Sequence, residues 1–171
     1  MDLVANRECG SCTICCINLR IEEENLKKLA GTPCLHLSND KGCSIYLERP
    51  EVCRNWYCGW RYMKQLDEDW RPDKSDILLR LVDDGLIFES IKDSLKLTNE
   101  RTLGLIGGGI GLGLSIYISV PKKQGFCNSL VKVNERLKSS IDTNNGYLVQ
   151  IAMLEAILFA LEQNTDPVTP L

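Results

Sequence analysis

Histidine is almost missing from this chain of 171 residues: His36 is its only one. Zinc fingers built from two cysteines and two histidines are therefore excluded, and nothing resembles the histidine-bearing helix of a zinc protease. An excess of either charge is missing too. Twenty Lys and Arg stand against 23 Asp and Glu, a net charge of −3, which argues against a nucleic-acid binder held mainly by phosphate neutralisation. The opening MDLVANRECG has no basic stretch followed by an apolar run, so no secretory signal is expected and the chain reads as cytoplasmic. No internal repeat, low-complexity segment, serine triad or convincing acid/base carboxylate pair is visible. The length suits one ordinary domain, or a small metal module with a compact second unit, and excludes a large multidomain enzyme. A hydrophobic fraction of 44% suits a protein that folds.

Cysteine is what the chain has in excess. Of nine, eight lie in the first 58 residues: Cys9, Cys12, Cys15, Cys16, Cys34, Cys43, Cys53 and Cys58; only Cys127 lies beyond. A disulfide framework would need an oxidising compartment, whereas clustered thiols in a reducing cytosol point to metal ligation. Cys9-x-x-Cys12 is the spacing by which one tight turn offers two thiolates to one metal, and Cys12-x-x-Cys15 repeats it. Adjacent Cys15 and Cys16 tend to direct their sulfurs apart, which implies two metal positions or one polynuclear cluster. Eight thiolates fill two tetrathiolate zinc sites, or one iron-sulfur cluster plus one zinc. Complete coordination implies a structural or electron-transfer role, because a catalytic metal keeps a position open. Lys41, Arg49, Arg54 and Arg61 are close enough in sequence to offset the negative charge of such sites. A standard bacterial ferredoxin is excluded, since its fourth cysteine position is Leu19 here. His36 is read as a hydrogen-bonding residue and Cys127 as a core thiol.

The string CxxCxxCC at Cys9 to Cys16, the Cys34-x8-Cys43 spacing, the run GCSIYLERPEVCRNWYC and the following WRPDKS resemble the YkgJ-like cysteine-cluster family of bacteria. That family is described as carrying a zinc- or iron-chelating domain. The resemblance implies a ligand role for the same eight cysteines and not for Cys127. It is dense over residues 9 to 76 and thin afterwards. The flagellin lysine N-methylation associated with some longer relatives is therefore not carried over.

Trp56, Trp60 and Trp70, with Tyr57 and Tyr62, fall beside or just after the last ligands. They read as an apolar shell that limits water access, rather than as a platform for stacking bases. Ile21 to Ala30, with acids in front and lysines behind, is expected to form a short helix; SNDKG at 38 to 42 is turn chemistry, and Arg49-Pro50-Glu51 opens another helix. The cysteine module is placed at residues 1–66.

Residues 67–171 are expected to form a small α+β unit packed against that module. Ile77 to Val82 and Leu86 to Ile91, around Asp83-Asp84-Gly85, carry a hairpin signal. Leu112 to Val120 reads as a third antiparallel strand and Leu95 to Leu97 as a short fourth. Asn128 to Ser139 and Tyr147 to Gln163 read as two helices, the second buried, and Thr165 to Leu171 as a frayed tail. Thr102 to Val120 lacks formal charge over 19 residues, but six glycines and a strand-like end disfavour a membrane span. Gly104 to Gly113 does not match a phosphate loop and reads as a flexible connection or bulged hairpin.

The expected function is zinc or iron chelation with a structural or metal-handling role and a possible protein partner. Two other classes are an iron-sulfur redox or methyl-transfer enzyme, with the Gly-rich segment helping to bind a cofactor, and a zinc-ribbon-like RNA binder.

Overall fold

The computed structural model describes residues 2–38 and 42–171, so Lys41 and most of the expected 38–42 turn lie outside the described residues. The chain is α+β and divides into two compact units, residues 1–78 with 169–171, and residues 79–168. The division falls inside a strand, later than the expected module end at residue 66.

The first unit is a string of short elements. Helix α1 (Ile14–Asn18) leads into strands β1 (Ile21–Glu23) and β2 (Leu26–Lys28), followed by β3 (Leu37–Ser38), β4 (Gly42–Cys43) and a 3-10 turn at Tyr46–Glu48. Helices α2 (Glu51–Asn55), α3 (Gly59–Tyr62) and α4 (Pro72–Ser75) complete it, with a 3-10 turn at Glu68–Trp70 before the last. The expected helix over Ile21 to Ala30 is instead a hairpin. Its burial has period two, Leu26 and Lys28 inward and Lys27 outward, which a strand permits and a helix does not. Across the strands Glu22 lies opposite Lys27, Glu23 opposite Leu26 and Ile21 opposite Lys28. The start of the chain is pinned down by Arg7, whose guanidinium donates to the carbonyls of Trp60, Met63, Lys64 and Leu66. The Val4 N–H donates to Arg61 O.

In the second part of the chain β5 (Ile77–Val82), β6 (Gly85–Ser90), β7 (Ser115–Val120) and β8 (Ser129–Lys132) form one sheet in that spatial order. The β7–β8 pair is antiparallel, but β6 and β7 are parallel, so the sheet is mixed rather than wholly antiparallel. A parallel pair needs a crossover between its strands. Helix α5 (Glu100–Gly111), after a 3-10 turn at Ser94–Thr98, provides it.

Both of those segments differ from expectation: Leu95 to Leu97 is not a strand, and the Gly-rich run is helical. Glycine lowers helix propensity by about 1 kcal/mol per residue relative to Ala, and here packing overrides it. Asn99 caps the helix by accepting from the Thr102 N–H at 2.8 Å, while Thr102, Leu103, Ile106 and Gly109 form its buried stripe. A Cβ at Gly109 would lie 2.8 Å from Ile116 Cδ1, so glycine there lets the helix lie close on β7.

Asn128 to Ser139 divides into β8 and helix α6 (Asn134–Asp142). Asn134 marks the break, accepting from the Ile116 N–H and donating to Leu114 O through its side chain. Helix α7 (Gly146–Glu162) packs through Val149, Ala152, Met153, Ala156, Ile157 and Ala160. It is not buried all round, because Tyr147, Leu154, Leu158 and Leu161 are exposed. Phe88, Ile106, Ile116, Ile118, Leu137 and Met153 are fully enclosed and make the centre of this unit. The last residues are held rather than frayed: Cys127 N–H donates to Asp166 O and Val168 N–H to Gly125 O, while in the first unit Arg20 donates to Thr169 O. Among the described residues no helix is long and apolar enough to cross a membrane.

Candidate metal centre

Local chain geometry explains where each of the eight N-terminal cysteines sits. The Cys12 N–H donates to Cys9 O at 2.9 Å, closing the tight turn that the CxxC spacing implies. Cys15 and Cys16 are consecutive residues of α1, and the carbonyl of Cys16 accepts from the Cys34 N–H at 3.0 Å. Cys34 O accepts from the Leu37 N–H, and Leu37 on β3 lies opposite Cys43 on β4. Cys53 is in α2, which starts after Pro50, and Cys58 immediately precedes α3. A Cβ at Gly42 would lie 2.6 Å from Gly10 O, so only glycine lets the chain before Cys43 pass this close to the chain after Cys9.

All eight are free thiols of intermediate exposure. Cys127, by contrast, is exposed rather than a core thiol, because its backbone is tied to Asp166 while its side chain faces outward.

The thiols differ electrostatically. Burial pushes Cys12 up to about 12, against the opposing Ile14 N–H and with the Asp73 carboxylate adding to the rise. Burial also raises Cys58, although the N–H groups of Arg61 and Trp60 oppose it and the charge of Cys9 reinforces it. Cys53 is raised by burial and then by Cys16, Cys34 and Cys43. Cys15 and Cys16 share a hydrogen bond in which the Cys15 thiol donates. This raises Cys15 strongly and draws Cys16 down to about 7, with Lys28 and Arg49 helping. Backbone N–H groups and cations near sulfur favour the thiolate, which is the form that ligates metals.

Three cations complete the site. Lys28 is 5% exposed and donates to the carbonyls of Ile17, Leu19 and Leu29. Burial lowers its pKa, and Cys34, Cys16, Cys15 and Cys53 oppose that shift. Arg61 is 7% exposed, stands over the Tyr57 ring, and leaves Nε and Nη1 without hydrogen-bond partners. Arg49 donates to Tyr57 OH and stands over the Tyr46 ring, and its Nε is also unpartnered. The ion pairs found among the described residues involve none of the three. Buried cations need nearby negative charge, and metal-bound thiolates are a source of it. The donor set and its surroundings thus fit a thiophilic metal. As the side chains stand, no three His, Cys, Asp or Glu groups among the described residues are gathered closely enough to hold an ion.

The expected aromatic shell is partly realised. Trp60 and Trp70 are buried, Trp60 donates to Asp67 O, and Tyr57 meets Tyr62 edge to face at 5.9 Å. Arg54 is exposed. His36 contributes its carbonyl, which accepts from the Ser44 N–H and hydroxyl.

Two residues of the site were not legible in the sequence. Lys28 looked like a solvated helix lysine, and only its alternation with Leu26 in a strand signals that it points inward. Asp73, beside Cys12, is held by the Arg71 fork at 2.7 and 2.8 Å. Burial would raise its pKa, but Arg71 outweighs this and holds the carboxyl below its usual range.

Comparison of the chain with protein-family models, with curated proteins and with solved structures finds no match.

Proposed function

We propose that this chain is a metal-binding protein that chelates zinc or iron through Cys9, Cys12, Cys15, Cys16, Cys34, Cys43, Cys53 and Cys58, with a structural or metal-handling role. The observation that carries this is the set of buried and half-buried cations beside the cysteine segments. Buried Lys28 and half-buried Arg49 act on Cys16 without a carboxylate partner, and buried Arg61 follows Cys58 in the chain; a four-thiolate site on a divalent ion carries a formal charge of about −2. The resemblance to the YkgJ-like cysteine-cluster family supports the same ligands. A bound ion would supply cross-links between segments distant in sequence, so that metal affinity becomes folding free energy for a unit with little core of its own. A reducing compartment, the cytoplasm, keeps such thiols available. A protein partner suits a scaffold of this kind better than nucleic acid, given the net charge of −3.

Elemental analysis with an absorption spectrum of anaerobically purified protein tests the proposal. Colourless protein with about two zinc per chain supports zinc sites; a brown protein with acid-labile sulfide supports iron-sulfur ligation. Protein carrying neither metal after expression with both supplied would overturn it.

A further inference from the structure

Resting on that reading, we infer that the eight cysteines form two separate four-thiolate sites: Cys9, Cys12, Cys15 and Cys58 in one, and Cys16, Cys34, Cys43 and Cys53 in the other. The split runs between two adjacent residues.

Backbone contacts set out the two groups. The Cys12 N–H bonds to Cys9 O, and Cys15, three residues on, lies in the first turn of α1. The segment carrying Cys9 is held against the segment carrying Cys58 by the Val4 bond to Arg61 O and by the Arg7 guanidinium on the carbonyls of residues 60 to 66. In the second group Cys34 is bonded to Cys16 through the backbone, and β3–β4 pairing brings Cys43 opposite Leu37, whose N–H is bonded to Cys34 O.

Electrostatic neighbours follow the same division. Cys12 interacts with Cys58, Cys58 with Cys9, and Cys15 with Cys9 and Cys12. Cys53 interacts with Cys16, Cys34 and Cys43. The one thiol contact found across the division is the Cys15–Cys16 hydrogen bond. Successive residues of a helix point about 100° apart, so rotating these two sulfurs away from each other sends each toward its own group. The surroundings differ at one point, the Asp73 carboxylate beside Cys12 in the first group, whereas Lys28 and Arg49 serve both groups, Lys28 acting on Cys15 and Cys16 and Arg49 on Cys9 and Cys16.

Metal counting on paired variants tests the division, with cobalt(II) as the probe ion because its thiolate complexes absorb visibly. The native chain is expected to take up about two ions. Cys9→Ser with Cys58→Ser, both in one group, should leave about one tetrathiolate ion, and so should Cys34→Ser with Cys43→Ser. Cys58→Ser with Cys43→Ser, one from each group, should leave none. Loss of both ions from either within-group pair, or retention of one by the cross-group pair, would overturn the division while leaving metal binding intact. A native chain that takes up no ion would overturn the metal reading itself.

Unmutated protein supplies the same answer if the variants fail to fold. It is given one equivalent of zinc, alkylated, and fragmented intact in a mass spectrometer. Molecules with four protected cysteines should show one whole group protected, with Cys15 and Cys16 never protected together and Cys127 always modified. Mixed groups of four would overturn the division.

Discussion

Lys28 shows how one side chain can depend on its neighbours' chemistry. An ammonium at 5% exposure keeps three carbonyls and no carboxylate, so thiolate charge next to it lowers the cost of burying it. Lys28→Met should weaken zinc binding by about tenfold or more, the usual scale for removing support from behind metal ligands, as measured by competition with a chromophoric chelator. Unchanged affinity would remove Lys28 from the site. A second buried charge lies in the sheet unit. Glu89 is 6% exposed and 3.2 Å from Arg80 Nε, and burial raises its pKa despite that partner. The folded carboxyl therefore holds its proton more tightly than the unfolded one. Its charged form is a penalty above the folded pKa, and the penalty is gone once pH falls below the unfolded value of about 4.3. Urea unfolding at pH 7 and pH 4 should show wild type gaining stability relative to Glu89→Gln as pH falls. Parallel curves for the two proteins would contradict this.

Among the elements, α5 is where composition and packing disagree most. Gly104 and Gly108 are exposed on the helix, with open space where an alanine methyl would stand. Gly104→Ala and Gly108→Ala should each stabilise by about 0.5–1 kcal/mol. Gly85 is the opposite case, because a Cβ there would lie 1.7 Å from Ser115 O in the parallel partner strand. Gly85→Ala should destabilise by about 2–3 kcal/mol, the scale of forced overpacking; equilibrium denaturation of the three variants measures both signs. The β5 and β6 hairpin and helix α7 were readable because their signals are local: a turn tripeptide and a long apolar run. The α5 crossover and the Ile21 to Lys28 hairpin were not. Their outcome is decided by contacts outside each segment, Ile116 under Gly109 in one case and the carbonyls of Ile17 and Leu19 around Lys28 in the other. The Asn134 side chain that separates β8 from α6 is likewise a tertiary contact. The membership of each thiol group was invisible for the same reason, since it depends on how loops meet.

For the molecule as a whole, the proposed metal sites give the two units different kinds of support. Residues 79–168 enclose Phe88, Ile106, Ile116, Ile118, Leu137 and Met153, whereas the first unit buries Leu26, Trp60, Leu66 and Trp70 amid short loops, with Ile77 and Leu78 at its end. Strong chelation should therefore abolish hydrogen-exchange protection in residues 2–76 and leave the β6, β7 and α7 amides protected, a pattern read by exchange mass spectrometry. Equal loss in both regions would contradict it. The central claim, that eight thiols are committed to metal, is tested most directly by weighing the native chain. The protein is alkylated without denaturation and its mass measured under native and then acidic conditions. The expected result is modification at Cys127 alone, with a native mass excess that matches bound zinc or iron and disappears on acidification. Alkylation of all nine cysteines with no excess mass would contradict it.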